Sequence, residues 1–315
     1  VLVSHLRIRV GDRPDGPPVH SRDAIRISNR DREPRRIVID HCSLAFSSDD
    51  MTSVWYRAGD VTFIDTLMGL PLNDSIHVDE GASGPAPHGF GPLFGQESDR
   101  VELVRSVLAH HKSRNPMSRA NGLVMANNVV YNWHDVVTSL ASSGGSVNRS
   151  TIVGNVYIPG TNSVMRPPIL LTGMPSSSRV FLDDNDGPGV TGDPWSLAEN
   201  RASSRVVASS PPVVYDHFAP LPAAGLRARL LPTVGAWPSA RDAVDRRIVR
   251  EVETETGSIV NCVEDDGSRR CALNAGGWPT VAENTRALTP PARPDADDDG
   301  DGYTNLEAWL FSFAP

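Results

Sequence analysis

Apolar residues in this chain come in short bursts that return at a regular interval. β-rich runs lie at residues 6–10, 24–28, 36–46, 61–67, 101–108, 123–130, 150–157, 169–172 and 180–182. Between them stand Gly, Asn, Asp and Ser, which turn a chain by accepting left-handed backbone or by hydrogen-bonding their own main chain. The interval is often about 20–28 residues, with no helical period between, which is in the range of a solenoid repeat. An antiparallel β-sandwich also has short strands. A parallel β-helix accounts better for the interval, because each coil stacks its strands on the coil before. Asn127, Asn128 and Asn155 follow or sit within strand runs. They read either as a stacked ladder at the inner turns of such a solenoid or as ordinary loop asparagines.

The rhythm has one long break and one end. Residues 71–100 are rich in Gly, Pro, His and Asp. Loops of that length are functional or disordered, and this one reads as the wall of a groove. After about residue 190 the strand rhythm fades. Pro211, Pro212, Pro220 and Pro222 mark an extended segment packed along a scaffold. Residues 239–253 predict a helix, with Val244, Ile248 and Val252 one turn apart on one face. The division expected is a β-helix over 1–190, a tail wrapped on it over 191–288, and a Pro-rich linker with an acidic loop over 289–315.

Composition narrows the partners. A net charge of −8 over 315 residues argues against non-specific binding to nucleic acid or to an anionic membrane. An acidic protein that handles a polyanion needs a local basic groove or bridging cations. Lys112 is the only lysine. Three cysteines are too few for a disulfide scaffold. Cys262 and Cys271 bracket a Glu-Asp-Asp-Gly-Ser turn and can close a small loop outside the cell, whereas Cys42 reads as a buried free thiol. No apolar run reaches about 18 residues, so no membrane span is expected. The chain opens directly on a strand pattern, and a leader and first coils are expected to precede it.

Two stretches carry the candidate chemistry. The first is Leu108-Ala109-His110-His111-Lys112-Ser113-Arg114-Asn115-Pro116-Met117-Ser118-Arg119, followed by an apolar run holding Asn127-Asn128-Val129-Val130-Tyr131-Asn132-Trp133. By pattern alone a basic cluster in an acidic protein is a solvated face. The second is Ile39-Asp40-His41-Cys42-Ser43-Leu44-Ala45-Phe46-Ser47-Ser48-Asp49-Asp50. The first resembles the "AH-x-x-S-R-N-P … NN-V-x-YNW" signature, and the second the "DHCS … DE" signature, of family 1 polysaccharide lyases, the pectate lyases. The resemblance covers about residues 1–165 closely and the tail, with Gly276-Gly277-Trp278-Pro279, loosely.

That resemblance implies a right-handed parallel β-helix with an irregular C-terminal appendage, and calcium-dependent β-elimination of α-1,4-linked polygalacturonate. The C5 proton of the uronate is poorly acidic. A cation on the substrate carboxylate disperses the developing charge, and a base must reach C5. Arg114 matches the family's base. Arginine gives up its charge only above about pH 12, but a neighbouring calcium and desolvation both disfavour its charged form. Arg119 matches a carboxylate-binding arginine, whose planar fork suits bidentate pairing. Without the resemblance, both would read as surface ion-pair partners. Asp23 matches the "D-A-I" aspartate and Asp50 the end of the "DE" pair, shortened from Glu, with Asp49 beside it. A further acid of some relatives is replaced here by Ser53 or Val54. Many relatives carry a substrate-binding lysine before the glycine that ends the long loop. Here His88-Gly89-Phe90-Gly91 stands there, so His88 is the candidate for that role. Lys112 joins Arg119 and His88 as a substrate-binding candidate, while His110 and His111 are candidates for a structural role.

A separate motif closes the chain. With Asp297 at position 1, Asp299 and Asp301 fall at 3 and 5, Gly302 at 6, and Tyr303 offers a carbonyl at 7. Converging hard oxygens and a turn glycine are calcium-loop chemistry. Position 12 is Ala308, with Glu307 one place early. The alternative is a solvated acidic tail. The expectation is thus a secreted, monomeric enzyme that uses Ca2+ on plant cell-wall polygalacturonate. Two alternatives stand beside it: a lyase for methylated pectin or another uronate polymer, and a non-catalytic carbohydrate-binding β-helix.

Overall fold

The computed structural model describes residues 1–214, 217–264, 275–278 and 287–313. Its strands form three parallel sheets, and the chain passes through first, second and third sheet in turn before climbing one coil. The first sheet runs from Leu2–Ser4 through Arg35–Asp40, Gly59–Ile64, Asp99–Val104, Gly122–Ala126 and Arg149–Val153 to Arg179–Asp183. The second runs from Arg7–Arg9 to Val156–Ile158, and the third from Ile25–Ser28 to Ala198–Asn200. This is a right-handed parallel β-helix. The third sheet continues past residue 190, where the strand rhythm fades in sequence, with Ala198–Asn200 pairing to Ile169–Thr172.

Runs such as 36–46 or 123–130 each hold two strands, not one. A single left-handed residue bends the chain from the first sheet into the second: His5, His41, Asp65, Arg105, Asn127, Gly154 and Asp184 in successive coils. Asn, Asp, His and Gly tolerate that conformation best. The residue after the bend turns inward. There Ser106 N donates to Asn128 Oδ1 at 2.9 Å, Asn128 Nδ2 to Asn155 Oδ1 at 2.9 Å, and Asn155 Nδ2 to Asn185 Oδ1 at 2.9 Å. Asn128 and Asn155 therefore belong to a ladder. Asn127 does not: it is a bend residue whose side chain bonds the backbone of Leu221. Asn185 completes the ladder.

Inside the coil, identical registers stack apolar residues in columns. Ile39, Phe63, Leu103, Met125, Ile152 and Leu182 are Cα partners in sequence along the first sheet, and all are buried. Each such side chain contributes roughly 1.5–3 kcal/mol by leaving water. Cys42 is free and buried, and burial pushes its thiol up to about 11.

The appendage closes over the second sheet. The predicted helix spans Ala243–Thr254, capped by Asp242, whose side chain accepts from Asp245 N. Its buried face, Val244, Ile248 and Val252, joins Leu67, Val107, Val129 and Tyr131 in one cluster. Gly69 leaves room for Ile248, which a Cβ there would meet at 3.1 Å. Arg9 pins the helix start, with Nη2 2.6 Å from Asp245 Oδ1 and 3.1 Å from Asp242 Oδ2. Cys262 is disulfide-bonded; Cys271 and Pro279 lie outside the described residues. Trp278 sets its ring edge-on to Phe46 at 6.0 Å. The last helix, Asn305–Phe311, lines an apolar groove through Leu310 and Phe311, with Leu2, Leu6 and Trp237 on its other side. No described helix is long and apolar enough to cross a membrane.

Candidate active site

The third sheet has short strands: Thr52–Trp55, Leu93–Phe94 and Met117–Ser118 hold four, two and two residues. Ile27, Val54, Phe94 and Ser118 share an inward register, while Arg26, Ser53, Leu93 and Met117 share the outward one. The segments leading into these strands stack as well. Asp50 pairs with Phe90, and Phe90 with Ser113, in isolated parallel bridges. Residues far apart in sequence thus meet on one outer face: Asp23 from one coil, Asp49 and Asp50 from the next, Phe90 from the third and Arg114 from the fourth.

Arg114 has a left-handed backbone, φ 63°, an uncommon and strained state for a long side chain. Its Nη1 lies 2.6 Å from Asp50 Oδ1, and its guanidinium sits 4.4 Å over the Phe90 ring. The turn is held from behind. His111 is fully buried and bonds Asn115 Oδ1 at 2.7 Å, and burial drives its ring down to about 4, so it stays neutral. Gly91 fits under this turn without a side chain: a Cβ would run into the Arg114 carbonyl oxygen and lie 2.7 Å from His111 Nδ1. His110 is buried behind it, with Nε2 3.0 Å from Glu251 Oε2 of the appendage helix.

Oxygens of Asp23, Asp49 and Asp50 come within 4.8 Å of one another. Burial, then the charges of Asp50 and Asp49, raise the Asp23 carboxyl to about 7. Ser53 donates to Asp23 Oδ2, while Asp23 Oδ1 is buried with no hydrogen-bond partner. Burial also pushes Asp49 upward, but His88, His77 and Arg114 outweigh it and hold the carboxyl below its usual range. Three converging carboxylates, one with an unsatisfied buried oxygen, make an all-oxygen donor set of the kind a hard cation such as calcium takes. The position open between Ser53 and Val54 resolves: Ser53 faces the carboxylates, and Val54 is buried in the core.

The remaining expected residues divide. Arg119 lines the groove with Asp23, Asp50 and Arg114. Lys112 does not; its Nζ lies 3.4 Å from the Pro87 carbonyl oxygen and 5.9 Å from the Phe90 ring. His88, expected to meet substrate, is only 7% exposed. It is sandwiched between His77 and Phe90, each ring centroid 3.9 Å away, and faces Asp49 and not the open groove. Trp55, Arg26 and His20 also line the groove, and sequence reasoning missed them. Trp55 is backed by Gly95 of the next coil, where a Cβ would collide with the indole. In the tail, oxygens of Asp297, Asp299 and Asp301 come within 4.8 Å. Glu307 turns away to the helix start, where Thr304 N donates to it at 2.8 Å, and Tyr303 N donates to Asp301 Oδ1 at 2.8 Å.

No family model matches the chain. Along its whole length it is 24% identical to the probable pectate lyase C of Neosartorya fischeri, 24% to that of Aspergillus terreus and 25% to that of Aspergillus fumigatus. It covers 72% of each relative. Similarity over the full chain, three parallel sheets and a groove of carboxylates and arginines agree: along its whole length the chain is similar to proteins named probable pectate lyases.

Proposed function

We propose that this protein cleaves polygalacturonate by calcium-dependent β-elimination, with Arg114 as the base that takes the C5 proton. The observation that carries the reading is the convergence of Arg114, Arg119 and three carboxylates on the outer face of the third sheet. Asp23, Asp49 and Asp50 would hold the ion. Calcium bound there would engage the uronate carboxylate and disperse the charge that develops when C5 loses its proton.

The chain's own residues do the rest. Arg119 offers a guanidinium to a neighbouring uronate carboxylate. Trp55 presents an aromatic face along the groove, against which a sugar ring can pack. His111, Asn115 and Gly91 hold the turn that aims Arg114. Asp50 pairs with the charged form of Arg114, so Asp50 must be engaged elsewhere before Arg114 can accept a proton. Cation and substrate are thereby coupled, and each should tighten the binding of the other by the same factor. Methyl-esterified uronates bind calcium poorly, so the acidic trio favours pectate over pectin.

The same reading makes the protein extracellular and monomeric, and the Asp297, Asp299 and Asp301 loop a structural calcium site apart from catalysis. The test is purified protein on polygalacturonate with and without calcium, followed by absorbance of the 4,5-unsaturated product. Excess chelator should abolish the signal; full activity in chelator overturns the reading.

A further inference from the structure

We propose that His77, His88 and Asp49 form a second cation site, behind the carboxylate trio, which takes a transition-metal ion such as zinc. The proposal stands whether or not the lyase reading does.

Three candidate ligand atoms are gathered in a buried place, on two stacked imidazoles and a carboxylate. Both histidines are buried, 3% and 7% exposed. Neither His77 Nδ1 nor His88 Nε2 makes a well-directed hydrogen bond, although Asp49 Oδ1 lies 3.9 Å from the first and pairs with the second at 3.1 Å. Close approach without hydrogen-bond direction is what two donors show when each points at a third atom instead of at the other. Tetrahedral bonds of about 2.0 Å give ligand-to-ligand edges of about 3.3 Å, near the 3.1 Å separation and shorter than the 3.9 Å one. One donor atom from each residue fits within 4.8 Å of the other two.

The surroundings fit too. His77 Nε2 lies 3.2 Å from Asp79 Oδ1, so the ring keeps its proton on Nε2 and leaves Nδ1 bare. A carboxylate behind a histidine is the usual support of a metal-bound imidazole. Two nitrogens and one oxygen suit zinc and its neighbours, whereas calcium prefers oxygen alone. The chemistry also has a structural use. His77 and His88 both sit on the long segment between Leu67–Gly69 and Leu93–Phe94, and Asp49 on the coil it crosses. An ion among them would clamp that groove wall to the β-helix.

Cobalt(II) is the probe, titrated into the full-length protein after removal of bound metal by chelator. One equivalent should bind with the visible bands of a nitrogen-ligated ion of low coordination number, and zinc should displace it. His77→Ala and His88→Ala should each abolish the bands. Asp79→Asn should weaken binding about 10- to 100-fold. His5→Ala, which removes a ligand of the other histidine cluster, His5, Asp40 and His41, should change nothing. Circular dichroism and melting establish that each variant is folded. If either histidine variant does not fold, X-ray absorption on zinc-loaded unaltered protein decides, since two imidazole scatterers are expected. An all-oxygen shell, no uptake of cobalt, or unchanged bands in folded His77→Ala and His88→Ala would overturn the proposal.

Discussion

At the residue scale, removing a few individual side chains should have separable effects. Arg114→Ala, and even Arg114→Lys, should lower turnover by at least about 100-fold with little change in melting temperature, because the side chain is partly exposed and its contacts are the Phe90 ring and the Asp50 carboxylate at the groove. Retention of a tenth of the activity at any pH would contradict the assignment. Gly91→Ala should also cost about 100-fold, by forcing the Arg114 carbonyl aside, although the residue touches no substrate. Asp23 makes a prediction about pH. Its carboxyl ionises near 3.8 when unfolded and near 7 in the fold. The fold therefore holds an extra proton between those values. The stability Asp23 contributes is fully present below about pH 4 and is lost as pH rises through about 7. In cation-free protein, Asp23→Asn should melt higher than wild type at pH 8 and about equally at pH 4. Melting curves in chelator check this, and equal curves at pH 8 would contradict it. Ser53→Asp, which adds a carboxylate beside Asp23, should tighten calcium binding in a calorimetric titration.

At the scale of the element, the ladder and the appendage helix are distinct sources of stability. Asn155 donates to the Met125 and Val153 carbonyls, accepts from Asn128 Nδ2 and donates to Asn185 Oδ1. Asn155→Ala leaves several buried groups unpaired and should cost about 3 kcal/mol or more, measurable by denaturant unfolding. Ile248→Ala should cost about 2–5 kcal/mol. The elements were unevenly legible in the sequence. First- and second-sheet strands were readable because Ile39, Phe63, Leu103 and their neighbours fill the core. The bends between them were not, because one left-handed His or Arg leaves no break in an apolar run. Most of the third sheet escaped notice. Thr52–Trp55 and Met117–Ser118 are too short and too polar to show a period, and their outward side chains line the groove. The site was legible only through motif resemblance. Trp55 and His77 lie outside those motifs and become visible only when coils stack.

At the scale of the whole molecule, the two ends meet. Leu310 and Phe311 of the C-terminal helix line one apolar groove with Leu2 and Leu6 of the first coil, and the carboxylate groove opens on the third sheet. Deleting residues 290–315 should lower the melting temperature and leave kcat nearly unchanged; a large fall in kcat at unchanged melting would tie the acidic loop to the groove. The most direct measurement of what the molecule does is the absorbance of unsaturated product when the protein meets polygalacturonate. With calcium the absorbance should rise, chelator should stop it, and Arg114→Ala should remain flat in calcium while staying folded. Product formed at the same rate in excess chelator, or by Arg114→Ala, would contradict the account.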